Sequence, residues 1–173
     1  ETLLGGGINS QGTLILHRSE VIDNTLSGTE PLIGAGISSV AGDLQIFDSR
    51  ISDNLAQHDA GGFARGGGIA AENGGNLSLV RSEVAFNRVY SAAGNAFGGG
   101  LRVSGETEVA IINSTLSGNE VQTDAGSGSV ASAAGAFVLL DGSAELTINS
   151  STIYQNVTIA DNGALTFFAG LSA

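Results

Sequence analysis

Residues 3–24 read LLGGGINSQGTLILHRSEVIDN. Three glycines precede Ile8, and Leu14, Leu16, Ser19, Val21 and Asn24 then fall at offsets that return later in the chain. The glycines alone would fit a phosphate cradle, but a Walker-type loop needs Gly-Lys-Ser/Thr at the start of a helix. The chain has no lysine, and its glycine clusters recur without a helical pattern behind them. Self-similarity is therefore the reading to follow.

The pattern Leu-x-[Leu/Ile]-x-x-Ser-x-[Val/Ile/Leu]-x-x-Asn occurs five times, with Val109 replacing the first leucine once. Its first column is Leu14, Leu44, Leu77, Val109 and Leu146. Five residues on stand Ser19, Ser49, Ser82, Ser114 and Ser151, and five further Asn24, Asn54, Asn87, Asn119 and Asn156. An upstream column behind each Gly/Ala cluster is assigned to Ile8, Ile37, Ile69, Leu101 and Phe137, at intervals of 29 to 36 residues. A sixth copy begins at residues 168–171.

Offsets are fixed inside the pattern and lengths vary between copies, as stacked β-coils require. Alternate residues of a strand point to opposite faces, which pairs Leu14 with Leu16 and Ser19 with Val21 on the inside. β-Branched residues, frequent glycine and the missing 3.6-residue period disfavour a helical repeat. The spacing predicts an all-β, right-handed parallel β-helix spanning 1–173 as one domain. It has about five coils plus a partial sixth, with three short strands per coil: Gly-Gly-Gly-Ile, Leu-x-Leu and Ser-x-Val. The asparagines are expected to stack as a turn ladder, each amide bonding the next, with the serines stacking alongside.

The GGGI…Ser-x-[Val/Ile]-x-x-Asn pattern resembles the right-handed parallel β-helix repeats of bacterial surface proteins, including polymorphic outer-membrane proteins and autotransporter passengers. That resemblance implies an extracellular or cell-surface adhesin, stalk or passenger. Polysaccharide lyases and hydrolases share the fold, so a carbohydrate-active enzyme is the alternative. Fold alone does not choose between them.

Composition adds bounds. A net charge of −11 with six arginines disfavours nucleic acid and anionic membranes as partners. There is no cysteine for a disulfide or thiolate site, and no apolar run of the roughly 18 residues that span a bilayer. The chain starts at Glu1 and lacks methionine, so it reads as a processed chain or an excised segment.

Two outward rows flank the serines: Arg18, Asp48, Arg81, Asn113, Ser150 before them and Glu20, Arg50, Glu83, Thr115, Thr152 after. Their alternating signs are read as a solvated ladder that penalises a slip of one coil. The row His17, Phe47, Val80, Ile112, Asn149 is either an exposed stripe or packed into the turn. Asp23 and Asp53 share one row, but it continues as Phe86, Gly118 and Gln155, so no acidic groove is expected there. His17 and His58 have no repeated partner, and no catalytic, cofactor or metal residues are assigned. Sequons begin at Asn76, Asn113, Asn149 and Asn156, the last within the ladder.

The expected function is non-catalytic, structural or adhesive. The expected partner is the chain itself, stacking head to tail, or flanking repeats of a longer chain, with a host or matrix surface beyond. Leu3, Leu4, Ile8, Phe167, Phe168 and Leu171 are the residues expected at the associating ends.

Overall fold

The computed structural model describes residues 2–124, 126, 128–161, 163, 165–167 and 170–172, with backbone alone at 106, 107, 141–143, 167, 171 and 172. Among the described residues its strands pair only with the equivalent strand of the coil before or after, always in parallel. The serine ladder advances by 30, 33, 32 and 37 residues per coil. The result is a parallel β-solenoid of about five coils.

The first three coils carry five short strands rather than three, and in the fourth and fifth coils the second and third of these are one long strand. The third coil shows them in turn: Phe63–Arg65, Ile69–Glu72, Asn76–Val80, Glu83–Ala85 and Arg88–Ser91. These positions define first to fifth stacks of strands. The second and third stacks merge into one sheet because Leu101–Ile112 and Ala136–Asn149 run through the corner between them. The expected strands are the second, third and fourth stacks. The first and fifth lie in the variable stretches after each asparagine, which the repeat template reads as connections. They escape the template because their inward residues are small and interchangeable: Ala56, Val89 and Val121 on one side, Ala64, Ala96 and Ala131 on the other.

The five stacks enclose two cores. The larger holds Ile37, Leu44, Ile46, Ile51, Ile69, Leu77, Leu79, Val84, Leu101 and Ile111. The smaller, between the first and fifth stacks, is built of Leu32, Ala35, Ala56, Ala64, Val89 and Val121. Central leucines and isoleucines are 0–2% exposed. In the first and fifth coils, Ile8, Leu14, Leu16, Leu146 and Ile153 are half-buried and pack against the large core.

Between the cores runs a waist, and it explains the glycine triplet. Position one of the triplet turns the corner in a left-handed conformation, with φ of 60°, 69°, 63° and 62° at Gly5, Gly34, Gly66 and Gly98. Position three faces the asparagine ladder. A Cβ at Gly36, Gly68 or Gly100 would sit 2.8–2.9 Å from the amide of Asn54, Asn87 or Asn119. It would also meet a backbone carbonyl of the next coil at 2.5–2.7 Å. Only glycine fits between ladder and neighbouring coil.

One column assignment needs correction. The partner of Leu101 is Ala136, not Phe137; Phe137 pairs with Arg102 and belongs to the opposite face. The glycine cluster before this strand reads Ala133-Ala134-Gly135, and the rule that a large residue follows the last glycine fails there. The left-handed residue at the second corner is the one before each ladder asparagine: Asp23, Asp53, Phe86, Gly118 and Gln155, with φ of 53° to 62°. The asparagine itself is inside.

Candidate functional site

The asparagine ladder is internal and directional. Asn24, Asn54, Asn87 and Asn119 each donate from Nδ2 to the Oδ1 of the next asparagine, at 2.8, 2.9, 3.0 and 3.0 Å. Each also donates its backbone N–H to the same oxygen, at 3.0–3.1 Å. Asn54, Asn87, Asn119 and Asn156 bond backward to the carbonyls of Val21, Ile51, Val84 and Leu116. The serine ladder repeats the device. The N–H groups of Ser19, Ser49, Ser82 and Ser114 donate to the Oγ of the serine one coil on, at 3.0–3.1 Å. Ser49, Ser82 and Ser114 return their hydroxyl protons to the carbonyls of Phe47, Val80 and Ile112. Both ladders satisfy polar groups that burial would otherwise penalise.

Because the serines point inward, the rows beside them form the walls of a trough along the solenoid axis. Arg18, Asp48, Arg81 and Asn113 stand on one wall and Glu20, Arg50, Glu83 and Thr115 on the other, around about 860 Å³ of space. Every residue of the first wall is left-handed, with φ of 48° to 50° at these four positions, and this turns the corner inward. The ion pairs run along the walls. Arg81 grips Asp48 with two hydrogen bonds, at 2.6 and 2.8 Å, and Arg50 Nε lies 3.2 Å from Glu83. The Arg81 hydrogen bond holds the Asp48 carboxyl below the usual carboxylate range, and desolvation opposes it. Arg18 and Glu20 form no ion pair among the described residues, so the alternating ladder is realised only in its middle rungs.

The row His17, Phe47, Val80, Ile112, Asn149 is in register and points outward, exposed at its ends and half-buried between. Alternation therefore holds to the strand end. His17 Nε2 lies 3.4 Å from Asp48. His58 is fully buried in the second core, with Nδ1 2.6 Å from the Ala60 carbonyl. Asp23 and Asp53 occupy the left-handed corner, and Asp53 lies 3.7 Å from Arg50. Among the described residues no group of three or more His, Asp or Glu is placed to hold a metal ion.

A second cluster of charged side chains lies away from the trough. At the glycine corner the outer faces of the first and second stacks fold toward each other, forming a re-entrant elbow. Ala64, Leu101, Val103 and Ala71 point into the cores, so alternation puts Arg65, Arg102 and Glu72 on the outer faces. Yet Arg102 is 5% and Glu72 8% exposed. Arg102 Nη1 donates to Glu72 Oε1 at 2.8 Å, and Arg65 Nη1 stands 3.6 Å from the same oxygen. Arg65 lies over the Phe63 ring at 3.8 Å, and Arg102 over Phe137 at 5.7 Å. Phe97 closes the group, with its ring centroid 5.3 Å from that of Phe137. Burial pushes the Arg102 guanidinium below its usual range; Glu72 counters this, and Arg65 adds to it. The sequence signal for this cluster is Phe137 in register with Arg102 of the preceding coil, visible once Ala136 is aligned with Leu101.

Of the expected association residues, Leu3 packs on the smaller core and Ile8 on the larger; both are half-buried, as is Leu4. The backbones of Phe167 and Leu171 pair with Ser132 and Ala136. Phe168 lies outside the described residues. No helix of the described residues is long and apolar enough to cross a membrane. Family models, curated proteins and solved structures give no match to this chain.

Proposed function

We propose that the chain is a right-handed, non-catalytic β-solenoid of an extracellular or cell-surface setting, acting as a structural or adhesive rod. The observation that carries this is the one-way ladder. Every coil presents Asn and Ser donors toward the next coil and the matching oxygens toward the previous one, so any coil is complementary to any other. Further coils of the same chain or the first coil of a second copy are met by the same groups. In this chain Asn24 Oδ1 is the outermost acceptor of the described ladder, and the Asn156 N–H is its outermost backbone donor. Heterologous stacking of this kind does not close and builds a fibre. Electron microscopy and sedimentation at rising concentration should show rods that lengthen, and Leu171→Glu should shorten them. A native chain that stays monomeric at high concentration, or a Leu171→Glu chain that lengthens unchanged, would refute self-stacking.

A polysaccharide-active enzyme is the second reading, and the trough favours it, since it holds Asp48 on one wall and Glu20 and Glu83 on the other, along a groove that a polymer could follow. Release of reducing or unsaturated sugar ends from a panel of polysaccharides, lost in Asp48→Asn, would establish it.

A further inference from the structure

The elbow carries a charge imbalance. Its described residues supply two guanidiniums and one carboxylate, closed in by Phe63, Phe97 and Phe137. Glu72 accepts its short hydrogen bond from Arg102, and Arg65 is left at 3.6 Å. The Nε of Arg65 and that of Arg102 are both buried without a hydrogen-bond partner. A surplus positive charge in such surroundings is costly unless something answers it, and this is in a chain whose net charge is −11.

We propose that the elbow is a binding site for a small monocarboxylate, whose carboxylate meets the Arg65 guanidinium and answers the positive charge that Glu72, held by Arg102, leaves over. A planar guanidinium fork matches a carboxylate bidentately. The charge of the occupant follows from the count among the described residues: one surplus cation is neutralised by one negative charge. A dianion such as phosphate would lose more hydration than the site returns. The ring walls select for an apolar body behind the carboxylate, so an aromatic or branched acid fits better than acetate. Access is through Arg65, whose side chain is 26% exposed, whereas that of Arg102 is 6% exposed.

The test follows the arginine Nε–Hε resonances by NMR while the full chain is titrated with benzoate, acetate or phosphate at constant ionic strength. Benzoate should move the Arg65 and Arg102 signals saturably, acetate more weakly, and phosphate no more than chloride. Arg65→Gln, at the partly exposed member, should weaken benzoate binding at least tenfold. Glu72→Gln removes the internal competitor and should tighten binding several-fold. A merely structural ion pair would give no such gain. Shifts that track ionic strength alone, or equal affinity in wild type and Arg65→Gln, would overturn the proposal. Should Glu72→Gln fail to fold, the Arg65→Gln comparison decides.

Discussion

Asn87 is the place to test whether the ladder carries the fold. It lies in the third of five coils and is fully buried, so its loss is felt on both sides. Its amide makes four hydrogen bonds. Nδ2 donates to Ile51 O at 2.9 Å and Asn119 Oδ1 at 3.0 Å, and Oδ1 accepts from Asn54 N at 3.1 Å and Asn54 Nδ2 at 2.9 Å. Leucine is of similar size and leaves no large void, but it removes all four. Asn54 Nδ2 retains the Val21 carbonyl, and Asn119 Oδ1 retains the Asn87 N–H. The Asn54 N–H and the Ile51 carbonyl lose these bonds inside the waist. Two such groups at about 1–3 kcal/mol each give a loss of about 2–6 kcal/mol. For a chain of this length each kcal/mol moves the midpoint by about 2–4 °C, so Asn87→Leu should melt roughly 10 °C lower. The assay is thermal unfolding followed by circular dichroism, with Arg81→Ala as comparison. Arg81 also bonds across coils, but in solvent, where an ion pair contributes little. Equal losses in the two variants, or a loss under about 2 °C for Asn87→Leu, would refute the claim that the buried amides hold the stack.

Other outcomes follow from the same geometry. Gly68→Ala should destabilise clearly, since its Cβ would meet the Gly100 carbonyl at 2.6 Å and the Asn87 amide at 2.8 Å, while Gly12→Ala, with nothing within 4 Å, should melt like wild type. The Asp48 carboxyl should titrate below its ordinary value of 3.8 and return toward it in Arg81→Ala, read by NMR. Because its folded pKa is depressed, the small stabilisation from this pair is present above that ordinary value and fades as pH falls through the lowered one. When the folded chain is exposed to a glycosyltransferase, Asn76 and Asn113 should be acceptors and Asn156 should not. The first two side chains are exposed, whereas the Asn156 amide is committed to Asn119 and to Leu116 O; glycopeptide mass spectrometry distinguishes them.

Much of the larger core was legible because its residues repeat at rigid offsets. Leu44, Ile46, Ser49, Ile51 and Asn54 recur with unchanged spacing in each coil, since every one of them fills a position with one shape. The first and fifth stacks were not legible for the opposite reason. A narrow space lined by Ala64, Ala96 and Ala131 accepts many short sequences, so no consensus forms. The elbow was hidden by a different limit. Alternation says that Arg65 and Arg102 leave the core, but not that the surface they reach folds back on itself. That follows from the left-handed glycines at 66 and 98, whose effect on the angle between two sheets no local pattern encodes. The charge rows were legible as rows, and their register is as read; which neighbours actually pair depended on side-chain reach.

The waist gives the molecule the mechanics of a flanged beam. Two cores run side by side, joined along their length by a web of stacked asparagine amides and the glycines that face them. Material set away from the middle resists bending most in the plane that contains both cores, and least across it. A rod of this section, lengthened by more coils, would flex like a ribbon in one direction and hold straight in the other. The asparagine web, lying between the two cores, would take the shear between them.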